Sequence, residues 1–382
     1  MVSPSVEPKM RALFLEPFAS SSHLALLDSI EALFPDWEIT RHTLADRQWK
    51  WRNRTGALQF SQKIPNSEKY DLLLAGSLLN LSDLLALRPN LISARKLIYF
   101  HENQFAYPYR KKIAESDKQI IYNNIVSALG ADWVLFNSEF NRNGFLDGCQ
   151  KFLKRIPVEW DLERIHSELE AKSSVFYIPV RTNPDLEAPR NNPPVLLWNH
   201  RWEHDKNPEL FFEALFDLGN AEVEFKVIVT GEQFPLEPKI FNTAREKLSD
   251  RFLNFGFVES RNEYERLLSV ADIVVSTARQ EFYGISIIEA VAHGAIPVVP
   301  DDLSYPELFP EKYRYKADNK GALTRTLKRR ISEVHSGDAP GRESMSALVR
   351  RYLYAENTDY HRQEFLRFAS LESDLVHFAE CK

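Results

Sequence analysis

Short, continuous apolar runs alternate along this chain with longer stretches of helical spacing. In the first half, residues 11–15, 70–74, 96–100, 133–136 and 174–178 have the length and unbroken apolar character of strands buried on both faces. Between them, residues 23–34 and 115–129 carry apolar side chains at helical intervals. The alternation predicts an open α/β domain.

Residues 181–194 break the pattern, because their proline and asparagine density leaves little room for a packed element. Strand-like runs resume at 195–198, 225–229, 252–255, 273–276 and 296–299. The expected architecture is α/β, two doubly wound Rossmann-like domains facing a central cleft, with ligands at the carboxyl ends of the strands. Its limits are 1–189 and 190–358, with a last helix within 359–382, roughly residues 359 to 380. A length of 382 residues favours such a division, since domains commonly run ~100–200 residues.

With 44% hydrophobic and 27% charged residues, both halves can bury sizeable cores. The two cysteines, Cys149 and Cys381, lack metal-ligand spacing and point to a reducing compartment. Residues 1–9 lack the apolar stretch of a secretory signal and read as a disordered lead-in. No segment approaches the ~18 consecutive apolar residues of a membrane span. A soluble, cytoplasmic protein without a membrane partner is expected.

Charge is segregated. The chain is formally −6, yet residues 41–112 hold thirteen Lys or Arg against five acids, a local charge of +8. The basic residues are interleaved with Trp49, Trp51, Tyr107 and Tyr109, as a phosphate backbone and unstacked bases require. The same Trp49-Lys50-Trp51-Arg52 run also reads as a packed strand edge with snorkelling cations.

The candidate chemistry concentrates in the second half. Glu281 and Glu289 lie eight positions apart with Gly284 between them, behind the apolar strand at 271–276. This is strand, loop and helix, with one carboxylate on the loop and the other about a turn and a half into the helix. Gly284 admits close backbone approach, and the helix start behind it is an anion site. Arg201 and Lys206 occupy a loop after the strand at 195–198 and before a helix opening near Asn207 and Pro208, where two cations can neutralise a diphosphate.

This ordered set resembles the retaining glycosyltransferases of GT-B fold, in the family marked by two glutamates separated by seven residues. The resemblance implies that Glu281 contacts the donor sugar hydroxyls, Glu289 the nucleotide ribose, and Arg201 with Lys206 the diphosphate. It also implies that His101, at the end of the strand at 97–100, orients the hexose and stabilises developing charge; the alternative is a histidine that caps a strand end. Gly231 matches a loop near the nucleotide, although a plain strand-to-helix turn accounts for it equally well. Tyr283 and Ile285 flank Gly284 and read as ligand contacts or as core.

Residues 44–58, which include Trp49, Lys50, Trp51 and Arg52, and residues 99–108, which include His101, Asn103 and Gln104, resemble a narrower group, the tRNA-queuosine mannosyltransferases. That resemblance implies transfer of mannose from GDP-mannose to queuosine in the anticodon of tRNA(Asp), with Asn103 and Gln104 as candidates for bonding the acceptor's cyclopentene diol. The first loop departs from the family pattern, offering Ala19-Ser20-Ser21-Ser22 where relatives place paired glycines. Ser21, Ser22 and His23 are assigned to the acceptor, and the serine hydroxyls suit helix capping and an oxyanion. No Asp-x-Asp motif occurs, so a metal-independent enzyme without cofactor is expected, in which protein cations take the place of a divalent ion. The alternatives are a GT-B enzyme acting on a small molecule, lipid headgroup or glycan, and a catalytically silent binding fold.

Overall fold

The computed structural model describes residues 9–105, 118–184, 186–233, 238–317, 319 and 321–370. Contacts divide the chain into two compact units, Met1–Pro179 with Thr358–Lys382, and Val180–Asn357.

The first unit is built on β1 (Arg11–Glu16), β2 (Glu38–Thr43), β3 (Leu72–Gly76), β4 (Arg95–Phe100), β5 (Trp133–Phe136) and β6 (Ser173–Val175). These six form a parallel sheet in the order β2-β1-β3-β4-β5-β6. Its central strands are the apolar runs of the sequence, buried on both faces by helices. β2 left no apolar signature because it is an edge strand, Glu-Ile-Thr-Arg-His-Thr, with no buried position. The helix Trp49–Ser61 was also hidden, because its buried face is Asn53, Gly56, Ala57 and Phe60 rather than a stripe of large apolar residues.

The second unit holds β7 (Val195–Asn199), β8 (Lys226–Thr230), β9 (Phe252–Phe255), β10 (Ile273–Val275), β11 (Ile296–Pro300) and β12 (Arg314–Tyr315), ordered β12-β11-β10-β7-β8-β9 and all parallel. The order reverses between β7 and β10. The carboxyl ends of strands at such a reversal are the usual ligand position of a doubly wound sheet.

The described residues of 181–194 are anchored on this second unit. Asp272, fully buried, accepts hydrogen bonds from the backbone N–H of Asn191 and Val195, from Asn191 Nδ2 and from Arg342 Nη2. Such a carboxylate requires this set of donors to persist in the interior. The terminal helix, Thr358–Ala369, belongs to the first unit, where Phe365 lies against Phe34 and Phe176 at ring separations of 5.6 and 5.3 Å. Residues 371–380 of the expected helix lie outside the described residues, as do 115–117, Tyr107, Tyr109 and Cys381.

Candidate active site

In the second unit the switch between β7 and β10 assembles the charged residues. Lys206, on the loop after β7, is only 8% exposed; its Nζ donates to the Gln280 carbonyl at 2.8 Å and to Glu281 Oε2 at 3.3 Å, and lies 3.4 Å from Asp205. Burial works against the ammonium, but Glu281 and Asp205 more than offset it and hold the Lys206 pKa above its ordinary value. Burial likewise pushes the Glu281 carboxyl up, but the Lys206 cation and the Tyr283 N–H outweigh it and hold the Glu281 pKa below its ordinary value. The other Glu281 oxygen accepts the N–H groups of Phe282 and Tyr283 at 3.1 and 3.4 Å.

His200 sits against this pair and had no role in the sequence reading. Burial, then the Lys206 cation, lowers its pKa to about 4, so the imidazole is neutral. Its ring bonds the Val275 backbone, and among the described residues the buried Nε2 has no hydrogen-bond partner. Arg201 differs from Lys206, for its side chain is 50% exposed and 3.2 Å from Glu203. Gly231 (φ +142°) closes the same site, since a Cβ there would overlap the His200 carbonyl. The glycine lets the loops after β7 and β8 come together.

Glu289 lies on the helix Ile285–Ala292, whose N-cap is Gly284 with φ +90°. Arg261 Nη1 reaches its Oε1 at 2.7 Å, and Tyr264 Oη lies 3.4 Å from its Oε2. Asn199, the last residue of β7, donates to Tyr264 at 3.0 Å and ties this carboxylate to the β7 end. Burial dominates at Glu289 and raises its pKa, with Arg261 opposing. Tyr283 is buried, its ring edge-on to Tyr352 at 6.1 Å, and Ile285 is half-buried.

In the first unit, Glu16 at the end of β1 meets His101 at the end of β4. Glu16 Oε1 is 3.2 Å from His23 Nδ1 and accepts the Phe18 N–H at 2.8 Å. The His23 and His101 rings stack, with centroids 3.8 Å apart and planes 10° apart. Burial, then His23, holds the His101 imidazole well below its ordinary pKa. The helix after the first loop runs Ser21–Leu33; its N-cap, Ser20, makes no side-chain capping bond, and its hydroxyl lies 3.5 Å from that of Ser22. The expected serine cap is therefore replaced by a serine pair, with Ser21 exposed. Asn103 is fully buried, donating to Asn141 Oδ1 at 2.9 Å and accepting the Phe105 N–H at 3.1 Å, while Gln104 Nε2 lies 3.4 Å from Glu102.

Glu16, His23 and His101 offer ligand atoms within 4.8 Å of one another. Imidazole lone pairs lie in the ring plane, and two parallel rings at 3.8 Å direct them side by side rather than toward one point. The observed rotamers do not fit a shared ion.

Part of the basic stretch is committed to the first unit. Arg41 pairs with Asp28 at 2.6 Å, Arg88 bonds the carbonyls of Ile64 and Ser61, Arg95 bonds that of Phe368, and Lys96 pairs with Asp132 at 2.9 Å. These cations stabilise the first unit. The helix Trp49–Ser61 shows another face, with Trp51 58% and Leu58 54% exposed, Arg54 over the Trp51 ring and Lys50 over Trp49. Arg52 turns back to the Ala45 carbonyl. The run is a helix, and the strand-edge reading is set aside.

Comparison with known proteins gives the family. Residues 11–180 match the family model for the N-terminal region of tRNA-queuosine alpha-mannosyltransferase, and residues 181–346 match glycosyl transferases group 1. A tRNA-queuosine alpha-mannosyltransferase of Drosophila melanogaster is 41% identical over 335 residues, covering 84% of this chain and 86% of that protein. The chain belongs to this family. It is a glycosyltransferase with the GT-B fold. A sucrose-phosphate synthase from Thermosynechococcus elongatus superposes with a TM-score of 0.69 at 15% identity, over 94% of this chain and 99% of that one. A glycosyltransferase from Rickettsia africae gives 0.61 at 15%, over 94% and 98%. Among the described residues no helix is long and apolar enough to cross a membrane.

Proposed function

We propose that the protein transfers mannose, with retention, from GDP-mannose to the queuosine base at the anticodon wobble position of tRNA(Asp). The observation that carries this reading is the match of residues 11–180, which hold both the Glu16–His23–His101 cluster and the Trp51–Arg54 helix face, to the N-terminal region of the queuosine enzymes. The exposed Trp51 and Arg54, with half-buried Lys50 beside them, have the chemistry of an RNA contact, with cations for phosphates and an indole for an unstacked base.

In this reading Arg201 and Lys206 take up the charge that grows on the departing diphosphate, the interaction that strengthens most in the transition state. Lys206 is held charged by Glu281 and Asp205, so no proton has to be supplied as the bond breaks. Glu281 is ionised and accepts sugar hydroxyls, Glu289 accepts the ribose hydroxyls, and neutral His101 attends the reacting face of the hexose. Gly231, Tyr283, Gly284 and Ile285 line the donor, and Ser21, Ser22, His23, Trp49, Lys50, Trp51, Arg52, Asn103 and Gln104 belong to the acceptor side.

Incubation with GDP-mannose and queuosine-containing tRNA(Asp), followed by nucleoside mass spectrometry, tests the reading. A hexose on queuosine alone, absent with UDP-glucose and with queuosine-lacking tRNA, supports it. Saturable nucleotide-sugar binding without modification of any tRNA moves the acceptor to a small molecule, lipid headgroup or glycan.

A further inference from the structure

His101 is held in an unusual way for a buried histidine. Its side chain is almost wholly enclosed, yet among the described residues neither ring nitrogen has a hydrogen-bond partner. A buried imidazole is ordinarily oriented by a bond at one nitrogen, which also selects its tautomer. Here the backbone is tied, the His101 carbonyl accepting from Asn137 Nδ2 at 2.7 Å, while the ring is gripped by its faces. His23 stacks on it at 3.8 Å, and Tyr99 leans against it at 4.7 Å with planes 56° apart.

The stacking partner faces a buried carboxylate. Glu16 Oε1 takes the Phe18 N–H at 2.8 Å, which pins the first loop and sets the carboxylate 3.2 Å from His23 Nδ1, an ion-pair distance without hydrogen-bond alignment. Its second oxygen points toward Gly76 at the end of β3 and lies 3.9 Å from His101 Nε2. A Cβ at residue 76 would collide with that oxygen, so the β3 end is shaped to admit the carboxylate. Burying a carboxylate is costly, and a purely structural corner does not require one.

We propose that Glu16 is a positioning residue for glycosyl transfer, acting through His23 to hold the His101 ring in its working orientation with both nitrogens available. The inference rests on the assignment of His101 to the reacting sugar. It gives His23 a role in the stack, beside the acceptor role read from sequence. The carboxylate never touches substrate; it orders the ring that does, and a small misplacement of such a group is costly in rate.

The test compares E16Q, H23F, H23A and H101A. E16Q keeps the size and the bond to Phe18 but removes the charge beside His23. Expected are a fall of about tenfold in kcat with both KM values within about twofold, no additional loss in E16Q/H101A over H101A, and more activity in H23F, which keeps a ring face, than in H23A. Histidine ring NMR, with the His101 signal identified by its loss in H101A, reads the orientation without any acceptor, and E16Q is expected to shift it. Full kcat and an unmoved His101 signal in E16Q overturn the inference, as does a loss that multiplies with H101A. Full turnover in H101A itself brings down the assignment of His101, and this inference with it. A shifted His101 signal in E16Q, in a protein that modifies no tRNA, upholds the orienting contact while the acceptor reading fails.

Discussion

Lys206 Nζ lies 3.3 Å from Glu281 Oε2 across 75 residues of sequence, in a site where each group keeps the other charged. The pair exists because β7 and β10 are neighbours at the point where the strand order reverses. Removing one partner leaves the other buried and uncompensated. K206A is therefore expected to lose roughly 3 kcal/mol of stability in urea unfolding. Its kcat is expected to fall by about 10²–10³, the typical cost of losing one preorganised charge stabiliser. K206M/E281Q is expected to recover stability but not turnover, which separates the two roles.

Arg261 is the cation on Glu289. R261A is expected to raise the dissociation constant for GDP by about tenfold in calorimetry, with R261K intermediate because lysine supplies charge without the planar fork. The pH dependence follows from the same contact. Burial raises the Glu289 pKa and Arg261 opposes it, so R261A should raise it further. The carboxylate then protonates sooner as pH falls, and nucleotide affinity is expected to drop at higher pH in R261A than in wild type.

Folding stability is expected to weaken on mild acidification through His200. The folded-state pKa is about 4 against an ordinary value of 6.5. Between those values the unfolded chain binds the extra proton, so stability is complete above pH 6.5 and declines as pH falls toward 4, by up to roughly 3 kcal/mol. Urea unfolding at pH 7.5 and pH 5 measures the slope, and H200N is expected to flatten it.

The two classes of cation in residues 41–112 are expected to respond differently to substitution. K50A/R54A, on the displayed helix face, should weaken tRNA binding and reduce the salt slope by about one per lost phosphate contact. R88A should lower stability by about 1–2 kcal/mol, since Ile64 and Ser61 lose their donor, and leave the salt slope in place. Fluorescence anisotropy across a salt series distinguishes them. An unchanged slope in K50A/R54A would make that face structural.

Most strands were legible because parallel strands covered on both faces must be continuously apolar, and β5 occupies the residues the pattern marked; β9, an edge strand with no buried position, was marked by its own Phe252, Leu253 and Phe255. The elements that escaped have physical reasons. β2 is a polar edge strand, β12 is two residues long, and the helix Trp49–Ser61 buries asparagine, glycine and alanine, which carry no hydrophobic period. At the site, the spacing of Glu281 and Glu289 and the loop holding Arg201 and Lys206 stood out as charges at strand ends. Glu16, His200 and Arg261 did not, because a buried carboxylate, a neutral imidazole and a helix arginine look ordinary until their neighbours are known.

By itself the sequence determined that this chain forms two doubly wound α/β units, since period and apolar continuity are local properties fixed by burial. It also determined which residues stand at the strand ends. Only the tertiary structure decided that Glu281 pairs with Lys206, Glu289 with Arg261, and His101 with His23 and Glu16. Those pairings depend on strand order, and strand order is set by how helices cover a twisted sheet rather than by any one stretch of the chain.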